Sequence, residues 1–243
     1  MNKTFDGARW MVVGCLAATA LMAGRYPAAA QPEHEEQRQE HEAGRHMEHR
    51  FDDPERFARA FDNPARDEWQ MPRRVIAALD IVEGETVADI GAGTGYFTVR
   101  LAQSTPARAV FAVDIESAMV DYVRERAAGA GLDQVVGVVA EPDSPNLPEP
   151  VDVVLIVNTF HHIPDRVAYF SALRDSVAPG GRLAIIDPRK GVPGAGPPDE
   201  FRFTPEEIDA ELGQAGFELL SRHDFLSRQT FQIYSVGGSE QGR

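Results

Sequence analysis

Cysteine is nearly missing. The 243 residues contain one, Cys15, so neither a disulfide framework nor a cysteine-based zinc site can be built. Basic residues are also scarce. Twenty-four Lys and Arg against 38 Asp and Glu leave a formal charge of −14. Binding nucleic acid through its phosphates needs clustered Lys and Arg, so no nucleic-acid partner is expected. No apolar run reaches the roughly 20 residues of a comfortable membrane span. No internal repeat is present, and no Gly-Lys-Ser/Thr follows the glycine-rich turn, which excludes a P-loop. The hydrophobic share, 43%, still supplies a proper core.

The chain begins with Lys3 and Arg9, an apolar run over residues 10–24, and Ala28-Ala29-Ala30. This pattern reads as a secretory signal over residues 1–30 with cleavage after Ala30. The mature protein is then expected to be exported, to the periplasm, without stable membrane insertion. An uncleaved signal would instead be an N-terminal anchor. Val12-Val13-Gly14-Cys15 has the look of a lipoprotein box, but too little apolar sequence precedes it. Residues 31–50 hold almost no apolar side chain and read as an acidic, histidine-rich solvated linker. The spacing of His34, His41, His46 and His49 fits no metal site, and no metal is expected.

Residues 51–238 carry alternating strand and helix signals and form the expected domain. Asp53-Pro54-Glu55 opens a helix, and Met71, Val75, Ile76 and Leu79 share the face of a second. Strands are expected over 86–90, 109–113, 135–140, 151–157, 182–186, 218–225 and 230–236. Helices are expected near 97–102, 117–128 (with Gly129 as the stop) and 166–177. Another opens at Thr204, with Glu207 completing a capping box. Residues 226–229 fit a hairpin break. The alternation implies a doubly wound, Rossmann-like α/β fold: a seven-stranded, mostly parallel sheet closed by a C-terminal antiparallel hairpin.

In such a sheet ligands bind at the carboxyl ends of the strands. "DIGAGTG", residues 89–95, sits at one. Its spacing is G-x-G-x-G, not the G-x-G-x-x-G that sets a helix N-terminus on a pyrophosphate. Asp89 there would repel phosphate and accept a cation. Asp114 ends the second strand, where a carboxylate can accept both hydroxyls of a ribose, and Met119 five residues on could pack on an adenine. Glu141 or Asp143 could take an adenine amino group.

Asp89–Gly95, Asp114 and the stretch Ala178-Pro179-Gly180-Gly181-Arg182-Leu183 together resemble the class I S-adenosylmethionine-dependent methyltransferases, over roughly residues 67–237. "VNTFHHI" and "APGGRLAIID" are most similar to the small-molecule branch that includes the ubiquinone/menaquinone C-methyltransferases. The resemblance implies S-adenosylmethionine as cofactor and a small-molecule methyl acceptor. It implies that Gly91, Ala92, Gly93, Thr94 and Gly95 approach the methionine and ribose, with Asp89 supporting that loop or meeting the ammonium group. It puts Asp114 on the ribose diol, Ile115 and Met119 around the adenine, and Asp143, whose spacing matches the branch, at the adenine amine. Asn158 to Phe160, with Asn158 and Phe160 foremost, would face the sulfonium and acceptor. His161 and His162 follow the fourth strand at the cofactor mouth, and one of them could be the base, His161 ahead by position. Trp69, Gln70 and Pro72 lie where the class often has a lid, and Asp187 and Arg189 could line the acceptor side. The chain lacks the Asn/Asp-Pro-Pro-Tyr/Phe of amide and adenine N-methyltransferases, and the cysteines of arsenite methyltransferases. The rival readings are an exported protein that binds the cofactor or a nucleoside without catalysis, and a nicotinamide enzyme; G-x-G-x-G and Asp89 count against the second.

Overall fold

The computed structural model describes residues 53–236 apart from residue 195. The expected signal (1–30) and linker (31–50) lie outside the described residues, as do residues 51–52 and 237–238 of the expected domain. Among the described residues no helix is long and apolar enough to cross a membrane.

Three short helices come first: α1 (Pro54–Phe61), α2 (Arg66–Gln70) and α3 (Pro72–Ala78). Asp53 caps α1 by accepting from the Arg56 N–H at 3.1 Å, with Pro54 at the first helical position. Nothing in the sequence announces α2, whose five residues show no apolar periodicity. Then follow β1 (Thr86–Ile90), α4 (Tyr96–Ser104), β2 (Ala109–Asp114), α5 (Ser117–Gly129), β3 (Val135–Val139), β4 (Val151–Val157), α6 (Arg166–Arg174), β5 (Val177–Pro188), α7 (Pro205–Gln214), β6 (Phe217–Arg222) and β7 (Gln229–Val236).

The strand order is β3-β2-β1-β4-β5-β7-β6. All pairings are parallel except β5–β7 and β7–β6. This is the expected doubly wound sheet with its antiparallel closing hairpin. Central strands of such a sheet are covered on both faces and read as apolar runs, and all five residues of β1 are buried. The strand period of two sends alternate side chains to opposite cores. Ala88, Ile90, Val154, Ile156, Leu183 and Ile185 meet Phe170 and Leu173 of α6 and Ile208 and Leu212 of α7. Val87, Val153, Leu155, Ala184 and Ile186 meet Val75 and Ile76 of α3 and Phe97 and Leu101 of α4.

The boundaries that differ most from expectation are those between α6 and β5 and at the end of β6. Helix α6 stops at Arg174, three residues short, because Val177 is already paired with Val151 in β5. Residues 178–181 then bulge out before Arg182 rejoins opposite Val153. A Cβ on Gly181 would sit 2.8 Å from the Ala178 carbonyl oxygen and 2.9 Å from that of Asp152, so only glycine fits this bulge. Strand β6 ends at Arg222, not at residue 225, after a register shift between Leu219 and Ser221. The Thr204 capping box is present: Glu207 N–H donates to Thr204 Oγ1 at 3.2 Å, and Thr204 N–H to Glu207 Oε2 at 2.8 Å.

Candidate active site

Strand order reverses between β1 and β4, since the chain winds outward to β2 and β3 and then returns to the other side of β1. A cavity of about 720 Å³ opens there, walled by the turn after β1, the ends of β2 and β3, the loop after β4, and Phe61 and Arg66 from the N-terminal helices.

The turn after β1 is held in a shape that glycine permits. Gly91, Gly93 and Gly95 have φ of +76°, +54° and +81°. A Cβ on Gly91 would stand 2.1 Å from Thr159 Oγ1, so this turn and the loop after β4 touch. The Gly91 and Ala92 N–H groups donate to the Val113 carbonyl at 2.8 and 3.0 Å, tying the turn to the end of β2. Thr94 lines the cavity with its hydroxyl buried and without a hydrogen-bond partner among the described residues. A buried polar atom of this kind calls for a ligand or solvent partner.

Two carboxylates flank the turn. Asp89, on β1, is 3% exposed and lines the cavity. Its Oδ2 accepts the Thr98 hydroxyl at 2.7 Å. Burial pushes its carboxyl up to about 6, against the pull of Thr98 and of the Arg66 guanidinium. Asp114 accepts the Gly93 N–H on Oδ2 at 2.8 Å and the Glu116 N–H on Oδ1 at 3.0 Å. Burial raises this carboxyl too, while those two backbone donors hold it down. Each of its oxygens retains a lone pair for a ligand. Ile115, next to it, stands 54% exposed on the cavity wall, an apolar face for a flat ligand.

These residues fit S-adenosylmethionine. Asp89 suits the ammonium, Asp114 the ribose diol, Ile115 the adenine, and the orphaned Thr94 hydroxyl supplies a further polar contact. Arg66 adds a group that no sequence motif marks. Its guanidinium lies on the cavity wall, stacked 3.9 Å from the Tyr96 ring centroid, and donates to the Phe61 carbonyl at 2.9 Å. Helix α2 is too short to announce itself, so no signal in the sequence marked Arg66 out. Tyr169, 7% exposed, was also missed; it lines the cavity with no hydrogen-bond partner for its hydroxyl among the described residues.

Four expected site residues lie off the cavity wall. Met119 is 1% exposed and packs inward from α5, away from the cavity wall. Asp143 is exposed and off the wall, while Glu141 and Pro142 are on it. Glu141 and Ser144 exchange two backbone hydrogen bonds, and Asp143 lies in the tight turn between them. Phe160 is fully buried, stacked on Phe170 at 5.6 Å and edge-on to Phe203 at 5.3 Å. Asn158 and Thr159, just before it, do line the cavity. His161 is 4% exposed, and its Nδ1 donates to the fully buried Asp187 carboxylate, 3.0 and 3.1 Å from its two oxygens. It is His162, its ring 4.2 Å from that of His161, that reaches the cavity.

Trp69, Gln70 and Pro72, expected as a lid, do not line the cavity. Phe61 and Arg66 border the cavity, whereas Trp69 packs under the Arg228 guanidinium, 5.6 Å from its ring centroid. Arg189 donates to the Gln229 carbonyl at 3.1 Å and does not line the cavity.

Comparison with known proteins agrees with this geometry. Residues 87–181 match the family model described as a methyltransferase domain. The chain is 30% identical over 154 residues to the aklanonic acid methyltransferase DauC of Streptomyces sp. strain C5, covering 62% of this chain and 66% of that protein. It is 32% identical over 121 residues to the 27-O-demethylrifamycin SV methyltransferase of Amycolatopsis mediterranei, covering 49% and 44%. The chain thus spans less than two thirds of the length of these curated relatives. A crystal structure of a SAM-dependent methyltransferase from Aquifex aeolicus superposes with a TM-score of 0.69 at 27% identity, covering 76% of this chain and 98% of that one. With the seven-stranded sheet, the glycine turn between its two carboxylates and these likenesses, the chain belongs to the class I S-adenosylmethionine-dependent methyltransferases.

Proposed function

We propose that the protein is an enzyme that transfers a methyl group from S-adenosylmethionine to a small-molecule acceptor. The observation that carries this reading is the cavity bordered at once by Asp89, Asp114 and Asn158. It offers a cation site, a diol site and a polar mouth in one continuous space. The two curated relatives act, by their names, on aklanonic acid and on a demethylrifamycin, both small molecules.

When bound, the cofactor supplies a methyl carbon made electrophilic by its sulfonium, displaced in line. The chain's own residues have the task of holding the two reactants in that line, which alone supplies much of a rate enhancement. Asp89 and Asp114 fix the two ends of the donor. Arg66 can pair with the methionine carboxylate, since its guanidinium has no carboxylate partner of its own among the described residues. Phe61, over Gly93, excludes water. A proton acceptor is needed only where the acceptor arrives protonated, and His162 is the imidazole on the cavity wall that can serve.

The protein is further proposed to act after export, with residues 1–30 removed. Transfer of tritiated methyl to a panel of small acceptors tests the activity. Turnover of at least one acceptor supports it. Tight cofactor binding with no turnover across the panel would point to the non-catalytic, cofactor-binding alternative.

A further inference from the structure

A hydrogen-bond chain runs from Arg66 to the mouth of the cavity through three amides. Arg66 Nε donates to Gln70 Oε1 at 3.3 Å. Gln70 Nε2 donates to Gln229 Oε1 at 2.7 Å. Gln229 Nε2 donates to Asn158 Oδ1 at 2.6 Å. Gln70 and Gln229 are 0% and 1% exposed, so solvent offers neither an alternative partner.

The direction of this chain follows from its first member. A guanidinium has donors and no acceptor. Gln70 must therefore turn its oxygen to Arg66 and its nitrogen to Gln229. The same constraint passes to Gln229 and then to Asn158. Each amide is oriented by the one before it, and reversing any of them would set two donors or two acceptors face to face in a buried place.

The last amide ends the chain on the cavity wall. Asn158 lies just beyond β4 with φ +56°, a left-handed conformation that aims its side chain independently of the strand pleat. Its oxygen is occupied by Gln229. Its nitrogen has no hydrogen-bond partner among the described residues and is not sealed from the cavity. With its oxygen turned to Gln229, Asn158 turns its N–H donors to the cavity.

We infer that Asn158 is the residue that holds the methyl acceptor by an oxygen, and that Gln70 and Gln229 are positioning residues that fix its donor face. This rests on the methyltransferase reading and narrows its substrate class. An amine acceptor would need to give its N–H to an acceptor atom, and the end of Asn158 turned to the cavity carries donors. An acceptor with an anionic oxygen at its reacting end, a carboxylate, phenolate or enolate, fits. One oxygen lone pair of the acceptor accepts from Asn158 Nδ2, while another electron pair of the same anion forms the bond to the methyl carbon. The sulfur–carbon bond breaks with its pair going to sulfur, leaving S-adenosylhomocysteine and the methyl ether, ester or C-methyl product. An acceptor that arrives as an anion releases no proton.

Two variants test this in the full chain. Gln229→Glu still accepts from Gln70 but has no N–H for Asn158, which must then turn its nitrogen inward and its oxygen to the cavity. Asn158→Asp removes the donor and leaves the chain intact. Neutron diffraction of the perdeuterated protein with S-adenosylhomocysteine is expected to show the Asn158 deuterons facing the cavity in the parent and away from it in Gln229→Glu. With tritiated-methyl donor, a carboxylic acid, a phenol, a 1,3-diketone and a primary amine separate the acceptor sources. Turnover is expected among the first three and not the amine, falling about 100-fold in either variant, the loss typical of one removed oxyanion donor, with S-adenosylhomocysteine affinity kept. Asn158 oxygen facing the cavity in the parent, methylation of the amine alone, or unchanged turnover in both variants would overturn the inference. Loss of S-adenosylhomocysteine binding in the parent would instead defeat the methyltransferase reading, and the neutron orientation would still decide the role of the chain. Should no panel member be turned over, that orientation decides alone.

Discussion

Asp89 and Thr98 form a buried pair nine residues apart, the Thr98 hydroxyl donating to Asp89 Oδ2 at 2.7 Å from the first turns of α4. One hydroxyl does not repay the desolvation of a carboxylate, and Asp89 is left with its carboxyl raised to about 6. The folded, unliganded protein therefore keeps Asp89 protonated up to about pH 6. Ionising Asp89 destabilises that fold increasingly as pH rises from about 4 to about 6, and fully above, where the cost is about 3 kcal/mol. Asp89→Asn is expected to raise the thermal midpoint of the unliganded protein at pH 7 and to weaken S-adenosylmethionine roughly 10- to 100-fold, the worth of one hydrogen bond to a charged group. Differential scanning fluorimetry and calorimetric titration check the two halves. In the parent, affinity should fall as pH drops below 6, because the ammonium then meets a neutral acid.

Asp114 should divide the ligand differently. Its oxygens take two backbone N–H groups, and the residue lines the cavity. Asp114→Asn is expected to weaken adenosine and S-adenosylmethionine alike, by roughly tenfold or more, whereas Asp89→Asn leaves adenosine unaffected. Titrating both ligands into both variants reads this directly; equal losses for adenosine would contradict the assignment.

His161 is expected to serve the fold. Asp187 is fully buried and carries a raised carboxyl, with His161 as its hydrogen-bond partner. His161→Ala strands that carboxylate and should lower stability by about 3–5 kcal/mol, the range for breaking a buried pair. A double replacement by apolar residues, His161→Phe with Asp187→Leu, should recover part of it. Denaturant titration measures both. Turnover per folded molecule should respond to His162→Ala and not to His161→Ala.

Gly91 tests the turn itself. At φ +76° and with Thr159 Oγ1 standing 2.1 Å from where a Cβ would be, Gly91→Ala must displace either the turn or the loop after β4. Loss of cofactor affinity with a lowered thermal midpoint is expected, and Thr159→Gly in the same chain should relieve the clash while leaving the strain of φ.

Export is tested apart from the site. The mature protein recovered from fractionated cells should start at Gln31 by N-terminal sequencing. An intact Met1 in the cytosol would end the export proposal.

Much of this was legible in the chain. Parallel central strands are covered on both faces, so β1 and β4 read as largely apolar runs, each interrupted by an aspartate, and the expected bounds match the structure to the residue. Asp114 and the glycine turn follow from the rule that strand ends make the site. What escaped depended on packing. Phe160 and Thr159 are adjacent, and only the fold decides that the phenyl goes into the core and the hydroxyl to the turn. Asp143 lost its place to Glu141 through a two-bond turn that no propensity foretells. The chain from Arg66 to Asn158 joins residues separated by 159 and 71 positions at two of its links, and no local pattern can announce such a contact.

The most direct measurement of the central claim is calorimetric titration of the purified protein with S-adenosylhomocysteine. One site of saturable binding, abolished or strongly weakened in the Asp89→Asn, Asp114→Asn double variant, is the expected result. No heat of binding to the parent at millimolar ligand would contradict it.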